Sequence, residues 1–166
     1  MKKSFLLIIF TLCVFYSKAQ NNYNFILDDS LTKLKFDNFK NGLYTFKDKS
    51  NSQNDSIPVL LAVEFKIIGA NTAEELTIKM YEKVYNDGFS ILRIYNSKTF
   101  KINTYDAYEV ELELKHPLLN NSVYAYYIVV SDYKKAVGFS GLSKNYTYYQ
   151  KYLPEFQKLA YSIKFY

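Results

Sequence analysis

Val123-Tyr124-Ala125-Tyr126-Tyr127-Ile128-Val129-Val130 sets β-branched and aromatic residues on both of its alternating faces, the composition of a strand packed on two sides. Ser131-Asp132-Tyr133-Lys134 supplies turn residues and Ala136 to Leu142 runs extended again, so the stretch reads as a hairpin. A strand apolar on both faces needs a cover on each. One cover follows directly, where Tyr149, Tyr152, Leu153, Phe156, Leu159, Ala160 and Ile163 recur at helical spacing. Pro154 would remove a hydrogen bond inside a helix, which predicts a turn or short helix over Tyr146 to Leu153 and a main helix beginning at Pro154.

The second cover lies upstream. Thr72 followed by Glu75 is a capping box, and Glu74 and Glu75 stand at the positive end of the helix dipole. Ala73, Leu76, Met80 and Val84 form the apolar stripe, and Gly88 after Asn86-Asp87 provides the left-handed stop. Between the covers the chain reads as strands: Val59 to Ile68, Ile91 to Tyr95, a short strand at Thr99 to Ile102, and Ala107 to Leu114. Before them, two short strands are expected around Phe25-Ile26-Leu27 and Leu43-Tyr44-Thr45-Phe46, whereas Leu34, Phe36 and Phe39 scatter without a clean period. Asp48 to Ser56 has no hydrophobic residue and reads as an exposed loop. The fold class is therefore α+β, a central antiparallel sheet of about six strands flanked by a capped helix at about 72–86 and a long C-terminal helix at about 147–163.

The beginning of the chain bounds its compartment. Met1-Lys2-Lys3 is a basic leader, Phe5 to Phe15 is apolar but too short to span a bilayer, and Ser17-Lys18-Ala19 ends in small residues. Residues 1–19 thus read as a cleaved Sec signal, predicting an exported chain, periplasmic or extracellular, with a single domain over residues 20–166 and no transmembrane segment after cleavage. Cys13, the one cysteine, falls inside the signal, and Leu12 before it is not the small residue that lipoprotein processing needs. The mature chain then has no thiol and no disulfide framework. At 147 residues it buries roughly two thirds of its unfolded surface, enough to need no staple. Loss of Lys2, Lys3 and Lys18 leaves 18 basic residues against 16 acidic ones, a balance that gives no argument for nucleic acid. Tyrosine is uneven, with 10 of 18 copies from Tyr124 onward, which the hairpin and last helix explain as half-buried positions with hydroxyls reaching water.

Catalytic signatures are sparse. His116 is the single histidine, beside Pro117, and zinc needs three or four nitrogen or sulfur ligands, so no metal or cofactor is expected. Gly138-Phe139-Ser140-Gly141 lacks the spacing of a nucleophile elbow, and no phosphate-binding glycine loop is present. Three sequons, at Asn54, Asn120 and Asn145, are read as chance matches, because the heavy use of Asn, Lys, Ile and Tyr is the bias expected of an AT-rich bacterial genome. Glu109, Glu111 and Glu113 alternate with Tyr108, Val110, Leu112 and Leu114, putting three carboxylates on one sheet face. Their main reading is a solvated face neutralised by Arg93 or Lys101. The functional alternative is a ligand or cation face of Glu109, Glu111, Glu113 and His116 in a small hydrolase or ligand-binding protein.

The order strand, capped helix, strands, hairpin and closing helix, with Tyr152-Leu153-Pro154-Glu155-Phe156 and Ser162-Ile163-Lys164-Phe165 at its end, resembles the PsbP-like fold over about residues 59–165. That fold includes the extrinsic PsbP protein of photosystem II and bacterial envelope proteins of the DcrB type. The resemblance implies a central antiparallel sheet between helices and a protein that docks to others without turning over a substrate. The expected function is a non-enzymatic exported docking protein whose partner is another envelope protein, with Tyr133, Tyr146 and Tyr148 as contact candidates because tyrosine is enriched at interfaces.

Overall fold

A computed structural model describes residues 25–51, 58–66 and 72–166, so the expected signal segment and most of the polar 48–56 loop lie outside the described residues. The strands are β1 (Phe25–Ile26), β2 (Leu34–Lys40), β3 (Leu43–Asp48), β4 (Val59–Lys66), β5 (Ser90–Ile102), β6 (Tyr105–Lys115), β7 (Val123–Ser131), β8 (Lys135–Ser143) and β9 (Lys164–Phe165). Two α-helices, α1 (Ala73–Asn86) and α2 (Tyr146–Tyr161), join them. Among the described residues, seven strands form one sheet in the order β2-β3-β4-β8-β7-β6-β5, and β1 pairs with β9 apart from it. Every pairing is antiparallel. The sheet is two meanders sewn together where β4 meets β8, with Ala62 opposite Phe139.

β7 sits where its composition requires, with a helix on either side. Tyr126, Ile128 and Val130 join the α2-side core with Tyr152, Phe156 and Leu159, while Ala125, Tyr127 and Val129 face the α1 side with Val84 and Phe65. Thr72 caps α1 and the reciprocal bond from Glu75 completes the capping box, and Gly88 closes the helix at φ +89°. Two glycines in β8 let the helices approach: a Cβ on Gly138 would lie 2.5 Å from Phe65 Cε2 and 2.8 Å from Met80 Sδ, and one on Gly141 would lie 2.5 Å from Phe156 Cε2. Among the described residues no helix is long and apolar enough to cross a membrane.

The structure corrects the sequence expectation in four places. The main sheet has seven strands where about six were expected, because Leu34–Lys40 is a strand whose bulge between Phe36 and Asn38 shifts its alternation and hides its period. The pieces expected at Ile91–Tyr95 and Thr99–Ile102 are one 13-residue strand, β5, irregular at Leu92 and Tyr95. Helix α2 runs unbroken from Tyr146 through Pro154 to Tyr161. Pro154 is on the exposed side, and burial of Tyr149, Tyr152, Phe156 and Leu159 at about 2 kcal/mol each outweighs a proline cost of about 3 kcal/mol. Asp48, expected to open a solvent loop, is buried and accepts a 2.7 Å bond from Tyr152 Oη.

Candidate functional site

The pleat of β6 sends Glu109, Glu111 and Glu113 to the face that α2 covers; Glu109 and Glu111 lie under the helix and not on the solvated face expected, while Glu113 stays half-exposed beside Arg93. Glu109 is fully buried. Its Oε2 accepts from Tyr126 Oη at 2.9 Å, on the neighbouring strand, and from Tyr161 Oη at 2.6 Å, in the last turn of α2. Its Oε1 meets the Lys98 ammonium at 3.0 Å as an ion pair and has no other polar partner among the described residues, Lys98 being its cross-strand neighbour on β5. Glu111 accepts from Tyr149 Oη at 3.2 Å and from Asn96 Nδ2 at 3.3 Å. Glu113 accepts from Tyr95 Oη at 2.8 Å, and Arg93 stands opposite it.

Hydrogen bonds to the row therefore come chiefly from tyrosine hydroxyls, while the charge of Glu109 is balanced by Lys98 of the adjacent strand. Arg93 does lie beside the row as expected, whereas Lys101 goes to Asp106, at 2.9 Å. The pattern extends across the helix: Tyr149, Tyr152 and Tyr161 of α2 each donate to a sheet carboxylate, Glu111, Asp48 and Glu109 in turn. These hydroxyls were expected to reach water, and they bind acids instead. A neutral tyrosine can donate such a bond and a tyrosinate cannot. Burial first, and the neighbouring carboxylate second, push the Tyr126, Tyr149 and Tyr161 hydroxyls well above the usual tyrosine range. Bonds from Ser122 and then Tyr95 hold the Glu113 carboxyl below its ordinary value.

At the open end of the row the aromatic side chains become exposed. Tyr95 projects from an irregular point of β5, Tyr124 is the second residue of β7, and Tyr146 and Tyr149 share a face of the first turns of α2. Tyr146 is the hub, 6.1 Å from Tyr95 and 6.4 Å from Tyr149 in stacked geometry and 4.9 Å from Tyr124. The Arg93 guanidinium lies 5.4 Å from the Tyr95 ring centre.

This is the PsbP-like fold. The chain is similar to the solution structure of cyanobacterial PsbP (CyanoP) from Synechocystis sp. PCC 6803, with a TM-score of 0.56 at 14% identity over 90% of this chain and 98% of that one. It is also similar to the crystal structure of PA94, a protein of unknown function from Pseudomonas aeruginosa, with a TM-score of 0.55 at 7% identity over 72% of this chain and 80% of that one. A Bacteroides thetaiotaomicron VPI-5482 protein gives a TM-score of 0.50 at 12% identity over 86% of this chain and 45% of its own. No family model matches the sequence, and no curated protein does. At these identities the PsbP-like likeness speaks for architecture alone.

The candidate contact tyrosines are not gathered into one surface. Tyr133 is exposed at the β7–β8 turn, held at φ +68° with its hydroxyl on Asp106, whereas Tyr146 and Tyr148 begin α2, beyond the far end of β8. The nine residues of β8 separate the two ends by about 25 Å. Tyr148 is half-buried against the α2-side core, while Tyr146 keeps 40% of its surface exposed. His116 does not join the carboxylates. It is buried against Phe89, with ring centres 4.8 Å apart, and its Nδ1 accepts from the Leu118 N–H.

What the sequence reading missed is the start of β5. Ile91, Leu92, Ile94 and Tyr95 remain exposed there, and Leu118, in the β6–β7 loop at the same end of the sheet, is 80% exposed. Ile91-Leu92 beside Ile94-Tyr95 departs from strict alternation, a signal that two residues are irregular and that some side chains face water.

Proposed function

We propose that the protein is a docking module of the bacterial cell envelope, exported through its leader and acting by binding another envelope protein without catalysing a reaction. One observation carries the reading: six large apolar side chains are exposed toward one end of a sheet whose interior is otherwise well filled, Ile91 and Ile94 on its α1 side, Tyr95 and Tyr146 on its α2 side, Leu92 at an irregular point of β5 and Leu118 in the adjoining loop. Scattered apolar residues on a surface need no explanation, but a group at one end marks an interaction site. The alternative, a small hydrolase or ligand-binding protein working from Glu109, Glu111 and Glu113, needs carboxylates open to a substrate. Each of the three is engaged by neighbouring side chains, and His116 packs against Phe89.

The test is recovery of the tagged chain from crosslinked native envelope, beside a Leu92→Asp/Leu118→Asp variant and the Tyr133→Ala/Tyr146→Ala/Tyr148→Ala variant. A protein partner held by the unaltered chain and lost from the aspartate variant is expected. Loss in the tyrosine variant as well would extend the contact to Tyr146. Recovery of the chain alone, or a partner retained by the aspartate variant, overturns the reading.

A further inference from the structure

We propose that the outer edge of β5 seats an extended, acidic strand from the partner protein, which adds itself to the sheet. β5 is the longer edge of the sheet, 13 residues against seven in β2. Its residues from Ser90 to Thr99 are all exposed. The two-residue turn Asn103-Thr104, entered at φ +56°, makes Ile102 and Tyr105 the closing pair of the β5–β6 hairpin. Antiparallel alternation from that pair turns the backbone groups of Ser97, Thr99 and Lys101 away from β6, toward the open side. Register is regular from Asn96 to Ile102, so this half of the strand can carry a ladder, and the irregular half at Leu92 and Tyr95 supplies the apolar group described above.

Charge decides the occupant. Arg93, Lys98 and Lys101 are the charged residues of β5, and the strand contains no acid. A second copy laid antiparallel on this edge would set three bases against three bases, an arrangement that opposes pairing. The Lys98 and Lys101 side chains are 49% and 61% exposed, and each makes one ion pair, to Glu109 and Asp106. An ammonium has three donors, so each lysine retains capacity for a carboxylate on an incoming strand, Lys98 on the face that α2 covers and Lys101 on the opposite one. An extended segment alternating β-branched residues with glutamate or aspartate meets both requirements: backbone groups for the free edge and, on the face that α2 covers, carboxylates for Lys98 and Arg93.

The proposal rests on the docking reading, and it fails separately from it. The experiment is amide hydrogen exchange of the purified chain with two probes, a nine-residue peptide alternating valine and glutamate and its lysine-for-glutamate counterpart. With the acidic peptide at ten times its Kd, exchange at Ser97, Thr99 and Lys101 is expected to slow about tenfold. The basic peptide should leave it unchanged. Thr99→Pro removes one outward N–H at an edge position that tolerates proline, so its melting should stay near that of the unaltered chain while the protection is lost. Equal protection by both peptides, protection confined to other strands, no protection by either, or protection undiminished in Thr99→Pro overturns the proposal. If β5 fails this test while Leu92→Asp/Leu118→Asp still loses its envelope partner, docking stands and strand addition falls. If β5 is protected while that variant keeps its partner, strand addition stands and docking through the apolar group falls.

Discussion

Raising the pH from about 9 to about 11 should destabilise this protein progressively, because its last helix is tied to the sheet by tyrosines that must stay protonated to donate. Tyr126 and Tyr149 are buried and donate to Glu109 and Glu111, and their hydroxyls titrate well above the ordinary value of 10.0 in the folded state. In the unfolded chain they titrate near that ordinary value. The sign follows from linkage. Below pH 10 both states hold the proton and the contribution is complete, whereas above it the unfolded state releases protons that the folded state keeps, so stability falls as pH rises. One unit above the unfolded pKa, each such tyrosine costs about 1.4 kcal/mol, and the pair costs about 3 kcal/mol. Tyr161, shifted the same way but partly exposed, adds a smaller amount because solvent screens it. Small domains are stable by about 5–15 kcal/mol, so the loss is a sizeable fraction of the total. Urea unfolding at both pH values measures it, with tyrosinate absorbance reporting ionisation on unfolding. Tyr126→Phe/Tyr149→Phe should lose less between the two pH values than the unaltered chain, by roughly the pair's share. Equal stability at pH 9 and 11, or the same loss in the phenylalanine variant, would refute the reasoning.

Three further outcomes are expected. Gly138→Ala and Gly141→Ala should each destabilise by about 1–3 kcal/mol, since the added methyl meets Phe65 and Met80 in one case and Phe156 in the other; thermal melts check this. Lys98→Met should cost about 2 kcal/mol, less than for a fully buried pair because Lys98 is half exposed, and denaturant titration would reveal it, with an unchanged midpoint showing that Glu109 needs no cation. In acid, Glu113, held low chiefly by Ser122, and Asp106, held low chiefly by Tyr133, stabilise the fold above the unfolded carboxyl values of 4.5 and 3.8 and lose that contribution as pH falls through their folded values. Melting temperature should therefore decline below about pH 4, and a flat profile there would contradict those bonds.

Legibility from sequence followed how local the determining physics was. The capping box at Thr72 and Glu75, the stop at Gly88 and the two-faced composition of β7 each show within a few residues, and each stands where the pattern put it. β2 escaped because its bulge between Phe36 and Asn38 inserts a residue that breaks the two-residue period. Pro154 misled because its penalty is local, whereas the burial of Tyr149, Tyr152, Phe156 and Leu159 that offsets it depends on the distant sheet. The carboxylate row of Glu109, Glu111 and Glu113 was legible as a row, but its environment was not. The partners that bury it come from Tyr149 and Tyr161, 38 and 52 residues further along the chain from Glu111 and Glu109. The exposed edge of β5 depends likewise on strand order, which no single stretch encodes.

The seam between β4 and β8 also sets a timetable for folding. β4 spans Val59–Lys66 and its partner β8 spans Lys135–Ser143, with α1 and β5, β6 and β7 lying between them in the chain. A chain emerging N-terminus first holds the β2-β3-β4 meander with one apolar flank unmatched until β8 has been made, and β1 waits longer still for β9. Contacts so distant in sequence close slowly, and unpaired strands are vulnerable during the delay. The early half of the molecule is therefore its hazardous half in biogenesis, and a factor that shields unpaired strands would matter most before Lys135 emerges.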